Sequence, residues 1–239
     1  MKIAIVGDYN PNYPPHPATT ESLMHMAFNE RPDLKIDWLA TNSFNEDIAS
    51  TLHPYDAVWL GPAPYSNKPN VRRIVQYVRE NNIPFLGTCG GLMQSIIEFG
   101  ADVLNLPEAI FETNAENQAD QMFLMDTCCG THGFKVINFK TIAGSKVQQI
   151  YKKEQCEEDS NCSFAINQRY HSDLEKNGML IGGLDEAQEA KVFELSTNQF
   201  FILTKFLPQM RSSYHEPHPL VEAFVKAAQD WCQNKLKMK

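Results

Sequence analysis

The sequence predicts an α/β fold: a mostly parallel, doubly wound sheet with helices on both faces, and antiparallel strands added by the second half. Three features lead there. The first hundred or so residues alternate short apolar runs with helix-period segments, as βαβ units do. A glycine-flanked cysteine, Gly87-Thr88-Cys89-Gly90-Gly91, stands where one apolar run gives way to a helix. The second half carries strand-like runs in succession, without full helices between them.

The elements follow in order. Ile3 to Gly7 is an apolar run closed by glycine and reads as a first buried strand. Asn10 to Pro17 is a proline-rich loop, and Ala18 to Asn29 can form a helix. Lys35 to Leu39 and Asp56 to Gly61 read as the next strands. Val71 to Asn81 has helical spacing, with Ile74, Val75 and Val78 on one face. Ile83 to Gly87 is a short apolar run, and Leu92 to Phe99 resumes the helical period. Later, Phe134 to Ile142, Ser163 to Asn167, Met179 to Gly182, Lys191 to Ser196 and Phe200 to Phe206 read as strands. They imply antiparallel additions to the sheet, or a small separate sheet beside it. Gln155 to Asn161 is polar and acidic and reads as an exposed loop. An amphipathic helix from Pro219 to near Gln233 closes the chain.

The 239 residues suffice for one substantial domain, 1–239, with a buried core. No internal repeat or low-complexity linker divides them. The net charge of -8 argues against a phosphate-backbone binder. No basic cluster alternates with aromatics, so no nucleic-acid partner is expected. The first apolar run is too short for a signal-peptide core and no later segment approaches a membrane span. A cytoplasmic chain without a membrane partner is expected. Its six irregularly spaced cysteines (Cys89, Cys128, Cys129, Cys156, Cys162, Cys232) are then expected to be mostly reduced.

Cys89 is the most informative residue. A nucleophile on a sharp strand-to-helix turn needs small neighbours, because the turn is strained and crowded. Glycines on both sides meet that need. The position also puts the thiol at a helix N-terminus, where the dipole and free N–H groups favour thiolate. A buried cysteine in a glycine-rich turn is the plainer alternative.

The segment Arg79-Glu80-Asn81-Asn82-Ile83-Pro84-Phe85-Leu86-Gly87-Thr88-Cys89 resembles the approach to the nucleophile in class I glutamine amidotransferases of the CTP synthase glutaminase type. The resemblance continues through Gln94 and Ile97-Glu98-Phe99. It appears again in Ile3 to Tyr9, Lys35 to Trp38, Asn167 to Gly183, His218-Pro219-Leu220 and Phe224 to Ala228. It implies the class I amidotransferase fold, which is flavodoxin-like. It also implies a cysteine attacking a glutamine amide, a glutamate-oriented histidine as base and acid, and ammonia passed to a synthetase domain. Gly61, Ala63, Gly87, Gly90, Gly91 and Gln94 are the ligand-binding candidates it suggests.

The resemblance breaks at the other catalytic parts. Where the family carries His-Pro-Glu, this chain has Leu207-Pro208-Gln209. Leucine cannot carry a proton, and a triad without its base loses both nucleophile activation and leaving-group protonation. The glycine-rich oxyanion turn is matched by Gly61-Pro62-Ala63-Pro64-Tyr65. Each proline there removes an N–H donor, and losing one such donor costs roughly 3 kcal/mol. The family's arginine-tyrosine-glutamate run falls on Ser163-Phe164-Ala165, or on Arg169-Tyr170 if the alignment is gapped.

Two histidines are candidate substitute bases. His132 lies in Cys128-Cys129-Gly130-Thr131-His132-Gly133, where a thiol pair near Cys89 would suit redox or thiol-transfer chemistry. A turn with incidental cysteines is the plainer reading. His215 lies in Tyr214-His215-Glu216-Pro217-His218, in which His218 is expected to lead into the last helix. No partner set for zinc is evident, and neither a metal nor a cofactor is expected. Cys156 and Cys162 are expected as exposed thiols in the acidic loop.

Three functional readings follow. The first is an amidotransferase-like protein without ordinary glutaminase activity, keeping Cys89 for other chemistry on a small amide or amino-acid-like ligand, or as a relic. The second is a non-catalytic protein using the old pocket or the old synthetase-facing surface for a ligand or protein partner. The third is a glutaminase with a relocated base, which requires His132 or His215 within hydrogen-bond reach of Cys89. Because the resemblance is to the glutaminase part alone, the chain is not expected to make CTP by itself.

Overall fold

A computed structural model describes residues 1–29, 33–111, 120–125 and 133–237. The first half builds the parallel core. Strand β1 (Lys2–Val6) pairs in parallel with β2 (Lys35–Leu39) and with β3 (Ala57–Leu60). Strand β4 (Phe85–Thr88) continues beside β3, and β11 (Phe201–Thr204) joins β4, also in parallel. Strands β3, β4 and β11 are buried along their whole length, as strands covered on both faces must be.

Helices α1 (Pro15–Asn29) and α7 (Pro219–Lys237) lie against one face, through a core that includes Leu23, Trp59, Ile202 and Phe224. Helices α3 (Lys68–Glu80) and α4 (Gly90–Asp102) cover the other, around Val71, Ile74, Val75, Val78 and Ile96. A short α2 (Ile48–Leu52) precedes β3. Helix α1 begins at Pro15, earlier than the sequence pattern suggests. Prolines are tolerated in a first turn, where no intrahelical donor is lost.

The second half extends the sheet. Strands β10 (Ala190–Leu195), β9 (Met179–Leu184), β6 (Lys135–Thr141) and β7 (Gln155–Ser160) follow β11 in antiparallel pairs. The described strands thus run in the order β2-β1-β3-β4-β11-β10-β9-β6-β7. Both alternatives read for this half occur, since β5 (Phe123–Met125) and β8 (Phe164–Ile166) pair as a separate two-stranded sheet. Short helices α5 (Lys146–Tyr151) and α6 (His171–Lys176) also intervene.

One correction matters for the site. Gln155 to Ser160 is strand β7 and not an exposed loop. Cys156, Glu158 and Ser160 point inward, alternating with outward Gln155 and Glu157. Its polar composition hid it. Buried Glu158 is accommodated because its Oε1 accepts from Tyr151 Oη at 2.8 Å and lies 2.9 Å from His218 Nε2.

The end of β7, although at one edge of the sheet order, returns to the end of β11. Leu207 N–H donates to Asp159 O at 2.8 Å, and Ser160 Oγ donates to Lys205 O at 3.0 Å. Register shifts between β9 and β10 mark a bulge in this half, the device by which strands bend and twist more sharply.

Candidate functional site

Ligands in open α/β sheets bind outside the carboxyl ends of the parallel strands. In this protein those ends are Gly7-Asp8 after β1, Gly61 to Tyr65 after β3, Cys89 after β4 and Lys205 to Gln209 after β11. Cys89 has φ 53° and ψ -108°, a left-handed conformation that costs of order 1–3 kcal/mol in a residue with a Cβ. Its N–H donates to Thr204 O at 2.8 Å, so β11 holds the turn in place. Helix α4 starts at once. A Cβ on Gly90 would come within 2.5 Å of Ala63 Cβ, and one on Gly91 would collide with the Leu60 carbonyl. The glycines let the turn press directly against β3 and its following loop.

Three of the ligand-binding candidates, Gly87, Gly90 and Gly91, therefore sit in tight backbone packing. Gly87 faces Leu203 and Gly91, and Gly61 lies beside Trp38 and the Val6 carbonyl. Ala63 abuts Gly90, and Ala63-Pro64 is a cis peptide. Gln94 is buried in α4, and its Oε1 has no hydrogen-bond partner among the described residues.

The thiol of the partly buried Cys89 donates to Asn161 Oδ1 at 3.6 Å, and Cys162, the next residue along, donates its own thiol to Phe164 O at 3.6 Å. Asn161 Nδ2 in turn donates to Tyr13 Oη at 2.5 Å, tying the loop before α1 to the thiol. Asn161 and Cys162 directly follow β7, so the return of that strand brings them here. Cys162 is 3% exposed and Cys156 is 7% exposed, which corrects the expectation of exposed loop thiols.

The two thiols titrate as one system. The interaction with Cys162, and burial, push Cys89 well up; the Gly90 N–H and the Lys205 charge pull the other way. The same interaction draws Cys162 down to about 7 against its burial. The first proton of the pair therefore leaves near neutrality and the second with difficulty. Lys205 is 2% exposed and pairs with Glu189, which also holds Lys191 at 2.9 Å.

The residues at the positions of the family histidine and glutamate are both buried. Leu207 is fully enclosed, and Gln209 is 2% exposed with neither side-chain amide atom bonded among the described residues. His215 is exposed on the turn before α7 and makes no hydrogen bond to Cys89. The His132 candidate, with Cys128 and Cys129, lies outside the described residues. His16, which the sequence did not single out, is fully buried near the site, but both its nitrogens are engaged. Nδ1 takes the Asn10 N–H at 2.9 Å and Nε2 meets Pro62 O at 3.0 Å. Burial lowers its pKa, consistent with a neutral brace between two loops.

His218 is buried against Glu158, and its Nδ1 accepts the Leu220 N–H at 3.2 Å, so it does stand at the start of α7. Arg169 pairs with Asp120 and Tyr170 Oη donates to Asp120 O. Among the described residues no three His, Cys, Asp or Glu side chains converge as a metal site. No helix among them is long and apolar enough to cross a membrane.

Sequence missed Cys162 and Lys205 as site residues, along with the Tyr13–Asn161 link. A cysteine beside an asparagine at the end of an acidic run was the one local signal available.

The geometry can be set beside known proteins. The CTP synthase of Cytophaga hutchinsonii is 29% identical over 246 residues, covering 98% of this chain and 46% of the relative. That of Staphylococcus aureus is 29% identical over 251 residues, with the same coverages. The chain thus spans about half the length of these relatives. The structure of the Trypanosoma brucei CTPS glutaminase domain with bound acivicin superimposes with a TM-score of 0.82 at 21% identity, over 96% of this chain and 94% of that one. A Thermotoga maritima glutamine amidotransferase gives 0.53 at 12% identity. The family of class-I glutamine amidotransferases matches residues 17–227, and the chain belongs to it.

Proposed function

We propose that this is a CTP synthase-related, amidotransferase-like protein that does not hydrolyse glutamine by the histidine-assisted route. Cys89 serves instead in thiol-dependent chemistry on a small amide or amino-acid-like ligand. One observation carries the reading. The Cys89 thiol donates to Asn161, while a buried leucine and a buried glutamine stand where the family's base and its orienting acid belong. Among the described residues the thiol thus has an amide oxygen, not an imidazole, as its hydrogen-bond partner. Gln94 and Gln209 hold buried amide atoms that are unbonded among the described residues, which supports a polar ligand. The similarity to a domain of a two-part enzyme suggests a synthetase-type protein as partner.

The test has two arms. Purified protein incubated with glutamine should release no ammonia above a Cys89→Ser control. Acivicin, the compound bound in the trypanosomal domain, should label Cys89 in the unchanged protein. Glutamine turnover that disappears in the Cys89→Ser variant would overturn the reading. So would a thiol inert to both acivicin and simple alkylating agents.

A further inference from the structure

Next to the Cys89 thiol, one hydrogen bond joins the two halves of the sheet. Tyr13, in the loop before α1, accepts from Asn161 Nδ2 at 2.5 Å, and Asn161 Oδ1 accepts from the thiol at 3.6 Å. Tyr13 and Asn161 are 148 positions apart, and each is anchored separately. Tyr13 N–H donates to Asn10 O at 3.1 Å, His16 N–H donates to Tyr13 O at 2.9 Å, and the Tyr13 ring meets the His16 ring edge-on at 5.0 Å. Asn161 follows Ser160, whose Oγ donates to Lys205 O and accepts the Cys162 N–H at 3.3 Å. No other hydrogen bond among the described residues ties residues 9–14 to the antiparallel half. The bond also lies where exposed chain meets buried chain. Asn12 and Pro14 on either side of Tyr13 are exposed, while His16 and Cys162, just beyond the two bonded residues in the chain, are buried.

We propose that the Tyr13–Asn161 bond is a latch over Cys89: closed, it covers the thiol and holds it as a donor to Asn161, and it opens to a small molecule whose carbonyl or carboxylate oxygen replaces the Tyr13 hydroxyl on Asn161 Nδ2. The exchange is even, because the phenol oxygen and the incoming oxygen accept from the same N–H. An amide oxygen is too weak a base to take the Cys89 proton, so the closed state keeps a neutral thiol. Opening breaks a single hydrogen bond, and removing that bond shifts the balance towards open by about fivefold. Asn161 touches the reacting sulfur; Tyr13 acts through Asn161 as a positioning residue. The latch rests on the proposed function only for the class of the entering molecule; its cover of Cys89 is read without a ligand.

The experiment follows two reactions of Cys89 in the full chain, in Tyr13→Phe and in Asn161→Leu. Methyl methanethiosulfonate reads access, and acivicin reads recognition of an amino-acid-like molecule. Tyr13→Phe keeps the ring and drops the bond, so both reactions should quicken by about fivefold, by the same factor at every pH. Asn161→Leu opens the latch but removes the N–H, so methylthiolation should quicken while acivicin labelling gains nothing. Cys232, partly exposed on α7, is the internal control and should react at an unchanged rate. A Cys89 that reacts no faster in Tyr13→Phe would overturn the latch. So would a gain that Cys232 shares, or one seen only as a shifted pH midpoint with the same plateau. Should Tyr13→Phe fail to fold, methylthiolation of Asn161→Leu decides alone. Acivicin labelling Asn161→Leu as fast as Tyr13→Phe would overturn the entering molecule's place on Asn161. Acivicin labelling none of the proteins would sink the ligand class of the proposed function, while methylthiolation still decides the latch, so the two claims fail separately.

Discussion

The parallel and antiparallel halves of the sheet contribute to the site in different ways. The parallel half supplies Cys89 through local rules: a buried strand, a left-handed turn and a helix whose first two residues have no Cβ. The antiparallel half supplies Asn161, the thiol's hydrogen-bond partner, through long-range pairing. Strand β7 carries Asn161 and Cys162 back to β11, whose far end carries Lys205, Leu207 and Gln209. The contrast teaches that a conserved-looking turn says where a reactive atom sits, while its chemistry is set by elements far away in sequence.

The rigidity of the parallel half can be broken most severely at Arg79. Its guanidinium holds the buried Glu98 through Nη2 at 2.6 Å, and Asp102 as well. Arg79→Met would leave Glu98 unpaired and should cost about 3–5 kcal/mol in urea melts. The pH dependence has a definite sign. Burial already raises Glu98 against the pull of Arg79, so the folded state holds its proton more tightly than the unfolded one. Stability from this group is full below the ordinary carboxylate range and is lost as pH rises through the raised value. The variant should therefore lose more stability at pH 7 than at pH 4.

Gly91→Ala attacks the contact between the turn and β3. A methyl group directed at the Leu60 carbonyl must displace backbone, and a loss of about 2–3 kcal/mol is expected by thermal or urea unfolding. An unchanged melting curve would mean that the turn is less tightly held than described.

A smaller change tests the joint between the halves. Ser160→Ala removes the bond to Lys205 O and should cost only about 1 kcal/mol. If the return of β7 governs the thiol, Cys89 alkylation should nevertheless change its pH dependence. An unaltered alkylation profile would show that the position of Cys162 does not depend on this bond.

The same contrast explains what could be read from the sequence. Strands β1, β3 and β4 and the amphipathic α3 were legible because burial on both faces demands apolar runs, and one-sided burial demands a helical period. The turn at Cys89 was legible because only small residues tolerate such crowding. Strand β7 was not, since its inward positions are Cys156, Glu158 and Ser160, and Glu158 is buried only by virtue of Tyr151 and His218. With β7 hidden, Cys162 looked like an exposed thiol. Leu207 and Gln209 were visible as departures from a motif, but the thiol that borders Cys89 could be found only in three dimensions.

The most direct test of the account is the pH profile of Cys89 alkylation in the unchanged chain and in Cys162→Ser. Burial and the interaction with Cys162 raise the Cys89 pKa, so alkylation in the unchanged chain should rise only above the range of an ordinary free thiol. In Cys162→Ser the contribution of Cys162 is lost and the rise should move down towards that range. An identical profile in both proteins would contradict the account, as would a step near neutrality that survives Cys162→Ser and is abolished by His132→Ala or His215→Ala.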